Sequence, residues 1–353
     1  DPGARAAFND AVALYKAGQL GKAQAAFEAL ASGGDPRGEF ALAVMHEHGQ
    51  GVPRDLEQAK AHYRRAAERG YVKAQLNLGL LLEAESAGRA ELVAEAAHWF
   101  TAAAALGQRD ALLRLEGLAK RGVPAARAGL GRLHLTGSGV AKDPGMALGM
   151  LESAAHAGVR DAAYNLGVMH EVGIGVERDA RSAAIWYREA ARAADVTAGY
   201  NLGLLLARAP ELTEEFGSPE PWLAEAAARG DARAAHALAL WLEQRPLSMV
   251  DATRVLSLYE LAARAGKPAA QVNLAYLLAH PDSDDAQLEL AYAWTLLAVE
   301  AGSNVAEANL RRLDALLAVS ARERARERAR ELLDAPPDFV PATTDGLAGR
   351  LAD

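Results

Sequence analysis

Few residues in this chain stand in an order that could do chemistry. His46, Glu47 and His48 come nearest to a metal pair. On a helix, however, residues two apart do not share a face, and no third ligand stands near them, so no metal site is expected. The Gly-x-Gly-Val runs at 49–52, 137–140 and 173–176 resemble phosphate loops only in their glycines. No Lys-Ser/Thr follows them and no strand is predicted before them. There is no G-x-S-x-G or S-x-x-K run and no cysteine, which removes the usual serine and thiolate nucleophiles. The sequence thus predicts no catalytic, cofactor-binding or metal-binding residue, and a protein that is not an enzyme.

Polar residues that recur at a fixed spacing point instead to binding. An asparagine precedes leucine at Asn77, Asn165, Asn201, Asn273 and Asn309. Asparagine is a mediocre helix former, so its recurrence asks for a reason. Its amide offers the donor and acceptor needed to hold a peptide unit of a partner; the alternative is a bond to the adjacent helix that serves the fold. The arginines at 322, 324, 326, 328 and 330 are interrupted by Glu323 and Glu327, which suits a solvated capping helix. With a net charge of −8 and a pI near 5.7, a nucleic-acid partner is not expected.

The elements that position these residues are helical hairpins, read most clearly at 159–195. Ala162, Leu166, Gly167 and Met169 fall at helical spacing, as do Ala183, Ala184, Tyr187, Ala190 and Ala191. Gly173-Ile174-Gly175-Val176 lies between them and lets the second helix fold back. One hairpin cannot bury both of its apolar faces, so each must stack on another. The composition, 51% apolar and led by alanine and leucine, suits helices in close approach. Apolar runs stay well short of the ~20 residues of a membrane span.

Similar units follow along the chain. Residues 1–34 form a looser N-terminal hairpin of tetratricopeptide type. Residues 35–302 carry the repeats, with room for only a single helix at 108–122 and with a longer acidic, proline-containing loop at 210–221. Residues 303–334 are expected to be C-terminal capping helices and 335–353 a flexible tail. The tryptophans at 99, 186, 222, 241 and 294 read as core anchors.

The ordered pattern A-x-x-x-L-G, G-x-G-V, A-x-x-x-Y, A-A-x-x-G resembles the Sel-1-like repeat family, tetratricopeptide-related solenoids of about 36 residues per unit. It is clearest at 35–70, 123–158 and 159–195, with His46, His134 and His170 where the family usually has tyrosine. The resemblance implies an all-α, right-handed α/α superhelix of stacked hairpins that binds proteins or peptides, an adaptor rather than an enzyme. In such a stack the first helix of each unit lines the concave face. The residues two before and two after each motif leucine then form an inner wall: Phe40, Val44, Leu76, Leu80, Tyr164, Val168, Tyr200, Leu204, His236, Leu240, Val272 and Tyr276. The asparagines Asn77, Asn165, Asn201 and Asn273 lie beside this wall, and Glu47, Glu83, Glu171 and Glu243 would border it with acid. An extended peptide or partner protein is the expected ligand, with a glycan or cell-envelope complex as the alternative. The chain begins at Asp1 without methionine. From this a removed export leader and a periplasmic location are expected, with a cytoplasmic location as the alternative.

Overall fold

The computed structural model describes residues 2–246, 249–280 and 283–334. Those residues form helices and turns and no strand. The chain divides into two compact units, Asp1–Asp179 and Ala180–Asp353. The division falls within residues 159–195. The expected tail at 335–353 lies outside the described residues.

The first unit holds the hairpins α1 (Pro2–Lys16) with α2 (Leu20–Ser32), α3 (Pro36–His48) with α4 (Leu56–Glu68), and α5 (Val72–Glu85) with α6 (Ala90–Ala105). The single helix α7 (Arg109–Lys120) follows, then the hairpin α8 (Pro124–Thr136) with α9 (Pro144–His156), then α10 (Arg160–Val172). One helix, α7, thus occupies most of 108–122. It is held by the buried Ala111, Leu115 and Leu118, and by ion pairs from Arg121 and Arg114 to Glu83 of α5 (3.1 and 3.5 Å). Because α7 turns the chain back once, α8 packs against α6 as well as α7.

The second unit runs through α11 (Ala180–Arg192), α12 (Val196–Arg208), the short α13 (Thr213–Phe216), α14 (Pro219–Ala228), α15 (Ala232–Glu243) and α16 (Met249–Arg264). It continues with α17 (Pro268–Leu278), α18 (Asp285–Glu300), α19 (Asn304–Leu316) and α20 (Val319–Asp334). Its hairpins are α12 with α14, α15 with α16, and α17 with α18. The stretch expected to be a loop at 210–221 is largely helical: a 3-10 turn at Pro210–Leu212, then α13, then α14 opening at Pro219. Buried Phe216 ties it down, with the Arg188 guanidinium over its ring at 4.8 Å and its carbonyl accepting from Trp222 Nε1 at 3.3 Å. The charged helix α20 lays Ala321, Ala325, Ala329 and Leu332 on α18 and exposes Arg324, Arg326 and Arg330, while the half-buried Arg322 pairs with Asp314 (3.2 Å) and Arg324 with Glu289.

The Leu-Gly pair is a packing seam. Leucine fills the core, and the small residue after it lets the second helix come close. A Cβ at Gly79 would meet the Phe100 ring at 2.6 Å, and one at Gly203 would meet Leu223 Cγ at 2.5 Å. At the α8–α9 turn, Gly137 takes φ +75° and donates its N–H to the Leu133 carbonyl (2.8 Å), a helix end that L-residues resist. Asp143 then caps α9 by accepting from Met146 N (2.9 Å), and its own N–H closes the turn onto the His134 carbonyl (2.9 Å). Of the tryptophans, Trp294 and Trp99 are buried, whereas Trp186, Trp222 and Trp241 are only half-buried. Trp241 stands on a first helix, packed against the edge of the core beneath Arg245 (3.9 Å).

Candidate functional site

The first helices bring the expected wall residues to one recurrent position, but not to one degree of openness. Phe40, Val44, Leu76 and Leu80 are half-buried and pack onto the core of the first unit; Phe40 meets Tyr63 and Tyr71 with ring centres 5.6 and 5.2 Å apart. Tyr164 and Val168 on α10 are half-buried. In the second unit Tyr200 lies half-buried under the Arg233 guanidinium at 4.7 Å, and His236 packs on Tyr259 at 5.8 Å. Val272 and Leu204 are half-buried. The open members are Leu240 and Tyr276, 40% and 68% exposed, both two residues past the motif leucine on successive first helices, α15 and α17.

The asparagines and glutamates are drawn largely into the frame. Tyr63 on α4 is wholly buried; its hydroxyl donates to Glu47 Oε2 on α3 (2.6 Å) and accepts from Asn77 Nδ2 on α5 (3.3 Å). One phenol thereby links three consecutive helices. Burial, helped by the bond to Glu47, pushes the Tyr63 phenol far above its ordinary range, so it stays a donor at every physiological pH. In the second unit Tyr259 repeats this, donating to Glu243 and bonded to Asn273, whose amide also lies 3.2 Å from His236 Nε2. Asn309 donates to Thr295 Oγ1 (3.1 Å), and Asn165 to the Asp161 carbonyl of its own helix (2.7 Å). Asn201 is half-buried on α12. Of the four expected border acids, Glu47 and Glu243 thus serve tyrosines and Glu83 binds Arg114 of α7 and Arg121 just after it, while Glu171 is half-buried on α10.

A charged cluster that sequence reasoning missed joins α3 to α4. Glu39, 5% exposed, receives His62 Nδ1 at 2.7 Å, Arg65 Nε at 2.9 Å and Arg69 at 3.5 Å. Burial alone would raise the Glu39 carboxyl, but the bonds from Arg65 and His62 prevail and hold it below its usual range. Burial lowers His62. Its ring stacks on His46 at 5.4 Å, so His46 is occupied in packing. No group of three or more His, Cys, Asp or Glu that could hold a metal ion occurs among the described residues. Among them, too, no helix is long and apolar enough to cross a membrane.

Comparison with known proteins identifies the family and the fold. The family model described as Sel1 repeat matches residues 36–71, 72–108, 124–159, 160–195 and 268–303. Among solved structures, a protective antigen of uropathogenic Escherichia coli strains with an SLR fold is similar at 24% identity and a TM-score of 0.54, over 99% of this chain and 78% of that one. A Sel1 repeat protein from Oxalobacter formigenes is similar at 25% identity and a TM-score of 0.47, over 88% of this chain and 86% of that one. No curated protein matches the chain.

Proposed function

Since the chain belongs to the Sel1 repeat family, whose members generally mediate protein–protein interaction, we propose that it is a non-enzymatic scaffold that binds an extended segment of a partner protein along its first helices. The observation that carries this is the exposure of Leu240 and Tyr276 at equivalent positions of α15 and α17. Large apolar side chains left in water at a repeated position mark a docking row, and the half-buried Leu204 of α12 occupies the same position one hairpin earlier. The asparagines contribute mainly by holding the helices in register; a partner's peptide units would meet the amide edges that face outward.

Affinity capture from the source cells with the wild-type chain and with Leu240→Ala/Tyr276→Ala tests this reading. One protein retained by the first and lost from the second is the expected result; equal retention by both would move the site off this row. The second reading is a periplasmic cell-envelope factor that contacts exopolysaccharide-export or peptidoglycan machinery. It draws on the exposed Tyr276 ring, a face on which a sugar could stack. Compartment labelling of the full-length protein separates it from a cytoplasmic adaptor.

A further inference from the structure

The fourth residue after the N-cap of the first helix occupies one structural position in four hairpins, and its occupants differ: Glu39, Gln75, Arg127 and Gln271. Gln75 and Gln271 each donate Nε2 to the carbonyl eight residues earlier, Ala67 (3.2 Å) and Ala263 (3.0 Å), stitching one hairpin to the next. Arg127 makes the same stitch with Nε, to the Ala119 carbonyl at 3.4 Å. Its guanidinium continues past that bond, and Nη1 donates to Ser153 Oγ on α9 (2.6 Å). Two of its five N–H groups are thus spent within the fold, and no carboxylate pairs with it among the described residues.

The α3–α4 hairpin shows what this position looks like when it is filled. There the carboxylate is internal: Glu39 is ringed by His62, Arg65 and Arg69. At the matching positions of α8 and α9 the charge is reversed to Arg127, and the partners are Met150 and Ser153 in place of His62 and Arg65. Lys120 likewise pairs with no carboxylate among the described residues. Where the ion-pair cluster would sit there is a groove of about 570 Å³ between α7, α8 and α9, walled by Leu130, Met146, Met150 and open Gly149. Its size is that of a ligand site, and Met146 is 48% exposed at its edge. Glu116 lies on its α7 side, so the groove is not uniformly basic.

We infer that this groove docks a segment of a partner protein in which one aspartate or glutamate is flanked by aliphatic side chains. The carboxylate answers Arg127 and Lys120, as Glu39 answers its own ring of cations, and the aliphatic flanks enter the methionine-lined walls, which adapt to irregular shapes. This goes beyond the first-helix row and uses other residues, so each can fail without the other.

The test uses the full chain and a peptide array in which leucine, methionine or phenylalanine flanks a single glutamate or aspartate at varied spacing, each spot twinned with its amide. Acid-bearing spots are expected to be retained about tenfold better than their twins, the factor for one charge-assisted hydrogen bond. The best of them should shift the methyl signals of Met146 and Met150 in a methionine-labelled spectrum and leave buried Met45 and Met169 in place. Arg127→Gln keeps the backbone stitch, as Gln75 and Gln271 do, and should abolish the acid preference without lowering the melting temperature. Gly149→Leu, which enters open space, should block binding while leaving the fold intact. No retained spot, equal retention of acid and amide, or a preference that survives Arg127→Gln overturns the inference. So do Met146 and Met150 signals that move with protein concentration alone, since a second copy would then be the occupant.

Discussion

Replacing Tyr63 by phenylalanine separates the structural reading of the recurrent asparagines from the ligand-gripping one. The ring stays and no cavity opens, so only the hydroxyl is lost. That hydroxyl makes a charge-assisted bond to Glu47 at 2.6 Å and a longer one from Asn77 at 3.3 Å. A bond to a charged group contributes about 1.5–3 kcal/mol and a neutral one about 0.5–1.5. Glu47 is only half-buried and recovers some water, which sets Tyr63→Phe near 2 kcal/mol and Asn77→Ala below about 1 kcal/mol. Because Asn77 acts through the hydroxyl, the double variant should cost no more than Tyr63→Phe alone, within about 0.5 kcal/mol. Urea unfolding followed by circular dichroism, at unchanged slope, reads each shift in midpoint. Additive costs, or a Tyr63→Phe cost under about 0.5 kcal/mol, would show that the three-helix link does not hold the frame and would return Asn77 to the pool of free amides.

Two glycines with left-handed backbones should respond differently to alanine. Gly158→Ala meets nothing within 4 Å and should cost only the backbone strain of about 1–2 kcal/mol, whereas Gly139→Ala would put a Cβ 1.8 Å from the Ala104 carbonyl and should cost about 3 kcal/mol beyond that in a thermal melt. Acid should weaken the α3–α4 hairpin in two steps. Burial lowers His62, so the stability of its neutral form is whole above pH 6.5 and declines as pH falls from there towards the lower folded value. Glu39, held below 4.5 against the pull of burial by its bonds from Arg65 and His62, contributes stability that persists to lower pH and is lost as pH falls through its depressed value. Melting temperatures across pH should therefore lose the decline just below pH 6.5 in His62→Gln and keep the more acidic one; an unchanged slope in that variant would refute the assignment.

Local geometry was legible in the sequence. The glycine turns could be read from Gly137-Ser138-Gly139 because a helix end and a left-handed φ are properties of a few neighbouring residues. The Leu-Gly seam showed because helical spacing carries it. Side-chain destinations were less legible. Glu47 and Glu243 read as a border because their spacing places them at the edge of the first helix, yet each turns to a tyrosine sixteen residues on, a pairing that only the hairpin brings about. The acidic stretch at 210–221 read as a loop because prolines and glutamates dominate it, while the buried Phe216 and Pro219 and the Arg181–Glu215 ion pair tie it down as helix. The groove beside Arg127 left no mark in its own hairpin. It emerges only when the same position is compared with Glu39, Gln75 and Gln271, because what distinguishes it is a carboxylate that no described residue supplies.

The central claim, that a partner protein lies along the first helices, is tested most directly by site-specific photo-crosslinking in the source cells. A photo-reactive phenylalanine analogue in place of Tyr276 on α17 is compared with one in place of Leu261 on the second helix α16, which is similarly apolar and 42% exposed. A single protein, joined at position 276 through one extended segment, absent at position 261 and lost when Leu240→Ala is added, is the predicted result. Equal crosslinks at both positions, or a partner that Leu240→Ala leaves in place, would contradict it.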